Sequence, residues 1–445
     1  MSKRLVILGG GESGTGAALL GKQNGYEVFL FDESSLNEGY RNQLLQAEIA
    51  FAEEDVHEEM IFNADEVVKS PGIAETNSWV KKIRSKGIAI ISEIELAYRY
   101  KGNSKIIAIT GSNGKSTTTA LTFHICKHAG LNCALVGNIG YSFARQVAED
   151  PKDLYVIEIS SFMLDDIVTF RPDVSILLNI TEDHLDRYDY QFEKYIGSKF
   201  RLTMNQTSKN YFIYNLDDEI ITKHLNIYKT AANQIPMSMN QELKYGAYIK
   251  DYEMYIDLGQ EETSMSVYDF ALKGKHNQYN TMAACVATAT IDIRKTKIRE
   301  AIQSFQGLEH RMEKVLSVRG VEFINDSKST NINSTWYALE TMTKPTVLIL
   351  GGIDKGNDYT LIKELVKEKV KAIVCMGVDN KKIHEAFDNE IRLIDTGSAE
   401  NAVQAAFRLS TVGDVVLLSP ACASFDLFNN YEDRGKQFKE AIKNL

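Results

Sequence analysis

The chain has 445 residues and a formal net charge of −10, with 44% of its residues hydrophobic and 25% charged. Such a length predicts two or three globular domains, and the acidic balance disfavours a nucleic-acid partner. Because no apolar run is long enough to cross a membrane, no secretory signal is recognised and the five cysteines are scattered, we expect a cytoplasmic protein without membrane insertion.

Apolar runs of strand length alternate with helix-period segments along most of the chain, which predicts an α/β fold with mainly parallel sheets. A Rossmann-like N-terminal domain is predicted over residues 1–100 and ends in a polar joint. Its predicted strands cover residues 5–8, 28–31, 66–69 and 88–91.

A central domain is predicted over residues 101–306. Beyond a first strand that starts at residue 105, its strands are predicted at residues 133–136, 154–159 and 174–179. Shorter alternating runs predict antiparallel hairpins beside this sheet, at residues 247–249, 254–258 and 264–268. A long helix over residues 276–293 is expected to follow.

A second Rossmann-like domain is predicted over residues 307–445, where strands and helices alternate again. Its predicted strands cover residues 315–318, 321–325, 346–350, 372–376, 392–394 and 415–418.

The most informative motif is the phosphate loop, residues 110–117, which reads Thr-Gly-Ser-Asn-Gly-Lys-Ser-Thr between a strand and a helix-like segment over residues 118–129. Loop amides and the positive end of a helix dipole attract phosphates, Lys115 adds charge, and the Ser116 hydroxyl can bind magnesium. The standard motif has a glycine at the position of Ile109. The context nevertheless predicts a bound nucleoside triphosphate. The predicted contacts are Gly111, Ser112, Asn113, Gly114, Lys115, Ser116 and Thr117.

A second glycine-rich turn, the N-terminal loop of residues 9–14, has Gly9, Gly11 and Gly14 after the first strand, and Asp32 ends the next strand. Alone, this pattern predicts an NAD-dependent oxidoreductase. Its geometry suits any nucleotide diphosphate, however, and a triphosphate site already lies in the central domain. We therefore expect a UDP-type ligand here, and a tight turn without a ligand is the alternative.

Several polar residues follow strands at the edges where ligands bind in α/β folds. Glu158 follows an apolar run, where it can hold magnesium together with Ser116, and His184 lies in a polar segment after another strand. Lys199 reads as an ordinary helix lysine. In the last domain, residues 326–331 and 351–356 each end a strand, begin a helix and carry a lysine, and Arg311 at the domain junction could reach phosphates held by another domain.

Together with further motifs, these residues resemble the Mur ligase family over essentially the whole chain. The further motifs cover residues 137–140, 158–161, 179–188, 276–280, 310–311 and 418–424. Residues 326–331 (Asp-Ser-Lys-Ser-Thr-Asn) and 419–424 (Ser-Pro-Ala-Cys-Ala-Ser) are marks of the branch that adds D-glutamate. The Asp-Asn-Pro-Arg motif of the branch that adds diaminopimelate or lysine is missing from the sequence.

The resemblance implies a UDP-sugar in the N-terminal domain, ATP in the central domain and an amino acid in the C-terminal domain. The reaction implied is ATP-dependent ligation of D-glutamate to UDP-N-acetylmuramoyl-L-alanine through an acyl phosphate. This is a step of cytoplasmic peptidoglycan precursor synthesis, and it links the protein to cell-wall biogenesis, cell shape and division. We expect a monomer that uses two Mg²⁺ ions.

The resemblance also assigns roles to individual residues. Lys115 and Ser116 hold the triphosphate and magnesium, Glu158 binds the first metal, and His184 and a carbamylated Lys199 serve the second. Further nucleotide contacts are Asn277, Asn280, Arg311 and Asp326. The catalytic set is Lys115, His184, Lys199, Lys328 and Lys355. The substrate contacts are Ser13, Gly72, Asn138, Ser160, Thr330, Lys355, Ser424, Phe425 and Tyr431.

Two departures from the family pattern concern the substrates. The N-terminal loop is unusually rich in glycine, and Glu33-Ser34 stands where a Thr-Arg pair can occur. Tyr431 stands where phenylalanine is common. The rival interpretations are a folylpolyglutamate synthase, an NAD-dependent oxidoreductase and a non-catalytic nucleotide-binding regulator.

Overall fold

A computed structural model describes residues 2–259, 263–388 and 390–445. The chain divides into two compact units. Unit 1 comprises Met1–Ala271 and Asn277–Phe305, and unit 2 comprises Leu272–His276 and Gln306–Leu445.

The N-terminal part of unit 1 is a parallel sheet with strand order β3–β2–β1–β4–β5. Successive strands are added on one side of β1 as far as β3 and then on its other side from β4 onward. The loops after β1 and β4 therefore border the crevice where such folds bind ligands. The apolar side chains of β1 are buried. In chain order the elements are β1 (Arg4–Leu8), α1 (Glu12–Gln23), β2 (Glu27–Asp32), α2 (Glu38–Gln46), β3 (Ala50–Glu53), α3 (Glu58–Phe62), β4 (Glu66–Lys69), α4 (Ser78–Ser85), β5 (Ala89–Ser92) and α5 (Glu93–Tyr100).

The rest of unit 1 forms a mixed sheet with strand order β14–β13–β12–β11–β10–β9–β6–β8–β7. The elements are β6 (Lys105–Thr110), α6 (Lys115–His128), β7 (Cys133–Gly137), α7 (Phe143–Glu149), β8 (Leu154–Glu158), α8 (Ser161–Leu164), β9 (Val174–Leu177), α9 (Phe192–Phe200), β10 (Tyr211–Asn215), α10 (Glu219–His224), β11 (Asn233–Ser238), β12 (Gly246–Lys250), β13 (Glu253–Asp257), β14 (Thr263–Ser266), α11 (Lys275–Ala289) and α12 (Lys295–Ser304). The pairs β12–β13 and β13–β14 are antiparallel, whereas β6 to β11 pair in parallel.

Unit 2 contains a sheet with strand order β15–β16–β20–β17–β18–β19, in which only β15 runs antiparallel to its neighbour among the described strands. The elements are β15 (Glu313–Val318), β16 (Val321–Asn325), α13 (Ile332–Glu340), β17 (Thr346–Leu350), α14 (Thr360–Lys369), β18 (Val370–Met376), α15 (Lys381–Phe387), β19 (Arg392–Thr396), α16 (Ala399–Leu409), β20 (Val415–Leu418) and α17 (Tyr431–Lys443). All five residues of β17 are buried, and each large aliphatic side chain there contributes about 1.5–3 kcal/mol.

The α/β class, the mainly parallel sheets and the antiparallel hairpins are confirmed. Strands β3, β10 and β11 were not predicted. Strand β3 has only four residues and β11 contains polar residues and Pro236, whereas β10 is a short run of aromatic and aliphatic residues. The helix after the phosphate loop begins at Lys115 rather than at residue 118. Residues 351–356 do not lead directly into a helix, since α14 begins only at Thr360.

Candidate active site

The phosphate loop follows β6 and is shaped by two glycines. Gly111 has φ +156° and Gly114 has φ +83°, and a Cβ on Gly114 would lie 2.3 Å from Oδ1 of Asn280. The Asn113 amide donates to Oδ1 of Asn179 at 2.8 Å, and the Asn179 side chain donates back to the Asn113 carbonyl at 3.0 Å. The loop is therefore held in place against the end of β9, with the N-terminus of α6 directly behind it. That terminus is the positive end of the helix dipole.

Two lysines converge on one carbonyl oxygen of this loop. Nζ of Lys115 lies 2.8 Å from the Gly111 carbonyl and 2.9 Å from that of Ser112, and Nζ of Lys199 lies 2.8 Å from the same Gly111 oxygen. Lys199 projects from α9 and is only 1% exposed. Burial, followed by the charge of Lys115, lowers the pKa of the Lys199 amine well below its ordinary value. The loop therefore contacts the Lys115 side chain and a second amine, that of Lys199, whose neutral form is favoured.

Glu158 lies at the same edge of the sheet, because it ends β8 and pairs in register with Ile109 of β6 and Gly137 of β7. It is 1% exposed. One carboxylate oxygen accepts a hydrogen bond from the Asn138 amide at 2.8 Å. The other is buried and, within the described residues, has no hydrogen-bond partner. A buried carboxylate oxygen of this kind, close to the first turn of α6 that carries Ser116, fits the oxygen ligands that magnesium prefers.

The predicted nucleotide contacts of α11 also lie beside the phosphate loop. The Thr118 hydroxyl donates to Oδ1 of Asn280 at 3.2 Å, and the Asn280 amide donates to Oδ1 of Asn277 at 3.1 Å. His184 has a left-handed backbone with φ 52°, and its ring lies 5.2 Å from the ring of Phe162. The Thr118–Asn280 contact joins α6 to α11 across 162 positions of the sequence.

The N-terminal loop is organised by a carboxylate of its own domain. The Gly10 amide donates to Asp32 at 2.7 Å, and the Ser34 amide and hydroxyl donate to the other Asp32 oxygen. Burial raises the pKa of Asp32, but these hydrogen bonds outweigh it and leave the pKa below its ordinary value. Ser13 lies in the first turn of α1, next to this loop.

Gly72 lies in the loop after β4. Arg187, which the sequence analysis did not single out, forms hydrogen bonds with this loop. The Arg187 guanidinium donates to the carbonyls of Pro71, Gly72 and Ile73 at 3.0, 3.3 and 3.1 Å, and lies 4.3 Å from the Phe162 ring centre. The predicted sugar contact Gly72 is thereby tied to the segment that carries His184. The predicted contact Ser160 accepts a hydrogen bond from the Met163 amide and caps α8.

In unit 2, Asp326 follows β16 and is buried among polar groups. Its carboxylate accepts hydrogen bonds from the Ser329 hydroxyl, from the Ser419 hydroxyl at 3.0 Å and from the Met312 amide at 3.1 Å. Burial raises its pKa to about 6, although these bonds and the charge of Arg311 oppose the shift. The neighbouring Lys328 ammonium lies 5.3 Å from the Tyr431 ring centre, at the start of α17.

The loops after β17 and β20 are joined to each other. Ile353 and Ala423 exchange backbone hydrogen bonds of 2.9 and 3.1 Å, and the Gly351 amide donates to the Pro420 carbonyl at 3.0 Å. This pairing brings the segment with exposed Lys355 beside Ser424, which is 2% exposed. Phe425 is 69% exposed. The predicted glutamate contacts therefore share one edge of the sheet, together with half-buried Thr330 after β16.

Sequence reasoning also missed Arg434, which is 1% exposed. Its guanidinium donates to the Ser327 hydroxyl at 2.9 Å, to the Ser327 carbonyl at 2.8 Å and to the Cys422 carbonyl at 3.2 Å. It connects the loops after β16 and β20. The only sequence signal is its position one helical turn after Tyr431, which places both on the same face of α17.

The chain matches three family models: the Mur ligase MurD-like N-terminal domain over residues 3–92, the Mur ligase middle domain over 109–288 and the Mur ligase glutamate ligase domain over 310–422. Two relatives, from Christiangramia forsetii and Bacteroides fragilis, are named UDP-N-acetylmuramoylalanine–D-glutamate ligase. Each is 51% identical over 446 residues, which is 100% of both chains.

The solved structure of the UDP-N-acetylmuramate–alanine ligase from Thermotoga maritima shares the fold, with a TM-score of 0.63 and 17% identity over 99% of each chain. In the described part of this chain, no helix combines the length and the apolar character needed to span a bilayer. The full-length identity and the three matched domains establish that the chain belongs to the Mur ligase family.

Proposed function

We propose that this chain is an ATP-dependent ligase that joins D-glutamate to UDP-N-acetylmuramoyl-L-alanine. The name and full-length identity of the relatives support this choice of substrates. The observation that carries the chemistry is the convergence of Lys115 and Lys199 on the Gly111 carbonyl. The Lys115 side chain, the glycine loop and a helix N-terminus form a site for a highly charged phosphate chain, and the Lys199 amine lies beside it.

In the proposed reaction, the substrate carboxylate attacks the γ-phosphorus of ATP, which forms an acyl phosphate and releases ADP. The D-glutamate amine then attacks the acyl carbon, the resulting tetrahedral intermediate loses inorganic phosphate, and the amine proton passes to solvent. Lys115 and the loop amides stabilise charge on the transferred phosphoryl group. The site must also exclude water, because water would hydrolyse the acyl phosphate.

For magnesium, Ser116 and the unpartnered oxygen of Glu158 would hold the first ion, and His184 and a carbamylated Lys199 the second. Bound magnesium neutralises phosphate charge. The neutral Lys199 amine can add to carbon dioxide, which forms an N–C bond and releases one proton. Burial beside Lys115 favours that neutral form, and the product is an anionic oxygen ligand.

In unit 2, we propose that Lys328, Lys355, Thr330, Ser424 and Tyr431 surround the glutamate, with Phe425 nearby. Arg311 and Asp326 are proposed as nucleotide contacts, as are Asn277 and Asn280 of unit 1. Ser13, Gly72, Asn138 and Ser160 are proposed to contact the UDP-sugar. We further propose that the protein acts as a monomer in the cytoplasm, with boundaries near residues 100 and 306 between its three domains.

The test is phosphate release from ATP by the purified full-length chain. Release should require UDP-N-acetylmuramoyl-L-alanine and D-glutamate together, and L-glutamate should not replace the D-isomer. Lys115→Ala should abolish release, whereas Lys105→Ala, an exposed lysine at the opposite end of β6, should leave it unchanged. Release with a folate and L-glutamate, hydride transfer with NAD, or no turnover with any pair would refute the proposal.

A further inference from the structure

Three residues with metal-binding side chains meet at the edge of the sheet in unit 2, outside the proposed catalytic set. Cys375 of β18 and Asp395 of the edge strand β19 are paired in register. Directly paired residues of neighbouring strands project to the same face. Helix α15 packs on that face and contributes His384, and a sulfur, a ring nitrogen and a carboxylate oxygen of the three residues lie within 4.8 Å of one another.

His384 is held by carboxylates on both sides of its ring. Nδ1 lies 2.8 Å from Oδ1 of Asp388, at the end of α15, and Nε2 lies 3.0 Å from Oδ2 of Asp395. A metal-binding histidine typically donates its second ring N–H to a carboxylate, which sets its tautomer and orientation. Asp388 occupies this supporting position, so Nε2 is directed toward Asp395.

A cavity of about 410 Å³ opens beside the cluster and is lined by His384, Asp395 and Asn380, among others. The Asn380 amide donates to Oδ1 of Asp395 at 2.9 Å. Its own carbonyl oxygen is buried and has no hydrogen-bond donor within the described ranges 2–259, 263–388 and 390–445. The cavity therefore offers space for a solvent ligand beside the three side chains.

We propose that this cluster binds a divalent transition metal of the zinc type through Sγ of Cys375, Nε2 of His384 and a carboxylate oxygen of Asp395. A water molecule from the adjoining cavity completes a four-coordinate site. A thiolate and an imidazole favour zinc over magnesium, which prefers oxygen ligands. The site is independent of the magnesium ligands proposed in unit 1.

Binding must displace protons. Burial, followed by the charges of Asp395 and Asp388, raises the pKa of the Cys375 thiol to about 12. The same two carboxylates raise the pKa of His384. The ion replaces the thiol proton and the proton on Nε2, both of which pass to solvent, so the affinity should increase with pH.

The experiment titrates the full-length, chelator-treated protein with Co²⁺ as an optical probe and then with Zn²⁺ as competitor. We expect one thiolate-to-cobalt absorption band per chain, which Zn²⁺ removes. Cys375→Ser and His384→Gln should each abolish the band. Cys126→Ser, which alters another buried cysteine, and His128→Gln, which alters another carboxylate-paired histidine, should retain it.

Asp388→Asn should weaken Co²⁺ binding about 10-fold, because it removes the support of His384 without removing a ligand. Thermal unfolding in chelator checks that His384→Gln still folds, since its side chain is 31% exposed. Absence of the band, or a band that persists in His384→Gln, would overturn the proposal. Binding without a thiolate band would also overturn it, and would direct attention to the Glu309–His310–Glu313 cluster.

Discussion

The phosphate loop and the N-terminal loop have the same strand–loop–helix arrangement, but different side chains surround them. Each follows a buried parallel strand and leads into a helix, α6 in one case and α1 in the other. Each loop contains a glycine at which an added Cβ would clash with a neighbouring residue. A Cβ on Gly114 would lie 2.3 Å from Oδ1 of Asn280, and a Cβ on Gly14 would lie 1.7 Å from the Gly9 carbonyl oxygen. Backbone geometry alone therefore does not distinguish their ligands.

The charged and ionisable side chains around the two loops differ. Lys115 and Lys199 converge on the phosphate loop, whereas the N-terminal loop is bound by Asp32 and leads into α1 at Glu12. Glu12 accepts hydrogen bonds from the Ser142 amide at 2.9 Å and from Arg145 at 2.8 Å, which connects α1 to α7. The two loops therefore share their strand–glycine–helix arrangement but differ in the side chains that set the electrostatic field at a bound phosphate.

The strongest test of this contrast is Lys199→Ala. Loss of a ligand and a charge beside the transferred phosphoryl group should lower ATP turnover by about 1,000-fold. The matched control is Lys194→Ala, which removes an exposed lysine of the same helix and should retain activity. A small added carboxylate should restore part of the turnover. Failure of the rescue would argue against the carbamate, and unchanged turnover would argue against any role of Lys199.

A second test uses the acidic surroundings of the N-terminal loop. Burial, together with the charge of Glu12, raises the pKa of Glu93 to about 8, although the Ala144 amide donates to its carboxylate. Since the folded-state pKa is the higher one, protonation stabilises the fold. This contribution is complete below about pH 4.5 and is lost as the pH rises through 8.

The free energy of unfolding of the wild-type protein should therefore fall by roughly 3 kcal/mol between pH 5 and pH 8, because the Glu93 carboxyl loses its proton less readily in the folded state than in the unfolded state. Glu93→Gln should remove most of that dependence, as measured by urea unfolding at several pH values. Glu59→Gln, on the exposed face of α3, should keep the wild-type slope. An unchanged slope in Glu93→Gln would contradict the assignment.

A third test compares two glycines of the N-terminal loop. Gly14→Ala places a Cβ against the Gly9 carbonyl, so the loop must move and the free energy of unfolding should fall by about 2 kcal/mol. Gly11→Ala meets no atom within 4 Å and should cost about 0.5 kcal/mol or less. Urea unfolding at one pH measures both. Equal costs would show that the close approach of Gly14 to Gly9 is unimportant.

The smallest effect is expected from Asn138→Ala. This change removes the donor to Glu158, so the Mg²⁺ concentration for half-maximal phosphate release should rise about 10-fold. Asn132→Ala, which alters another exposed asparagine, is the control. If the KM for the UDP-sugar rises while the Mg²⁺ requirement is unchanged, Asn138 contacts the sugar directly and does not act through Glu158.

Much of the fold followed from local patterns, and the exceptions have a common cause. Strand β6, which leads into the phosphate loop, and its sheet neighbours β8 and β9 consist largely of apolar residues, as expected for strands buried on both faces. Strands β10 and β11 instead lie toward the mixed side of the sheet, and β11 contains polar residues and Pro236. Their pairing partners decide their conformation, and a pattern confined to neighbouring residues does not record those partners.

The sequence by itself determined the α/β class, the position of the phosphate loop and the strand-end location of Glu158. These features depend on periodicity, glycine spacing and charge within short segments. Only the tertiary structure brought Lys199 to Gly111, Arg187 to the loop of Gly72, and Arg434 to Ser327. Each of these contacts joins residues at least 88 positions apart, so it depends on how sheets and helices pack rather than on any local propensity.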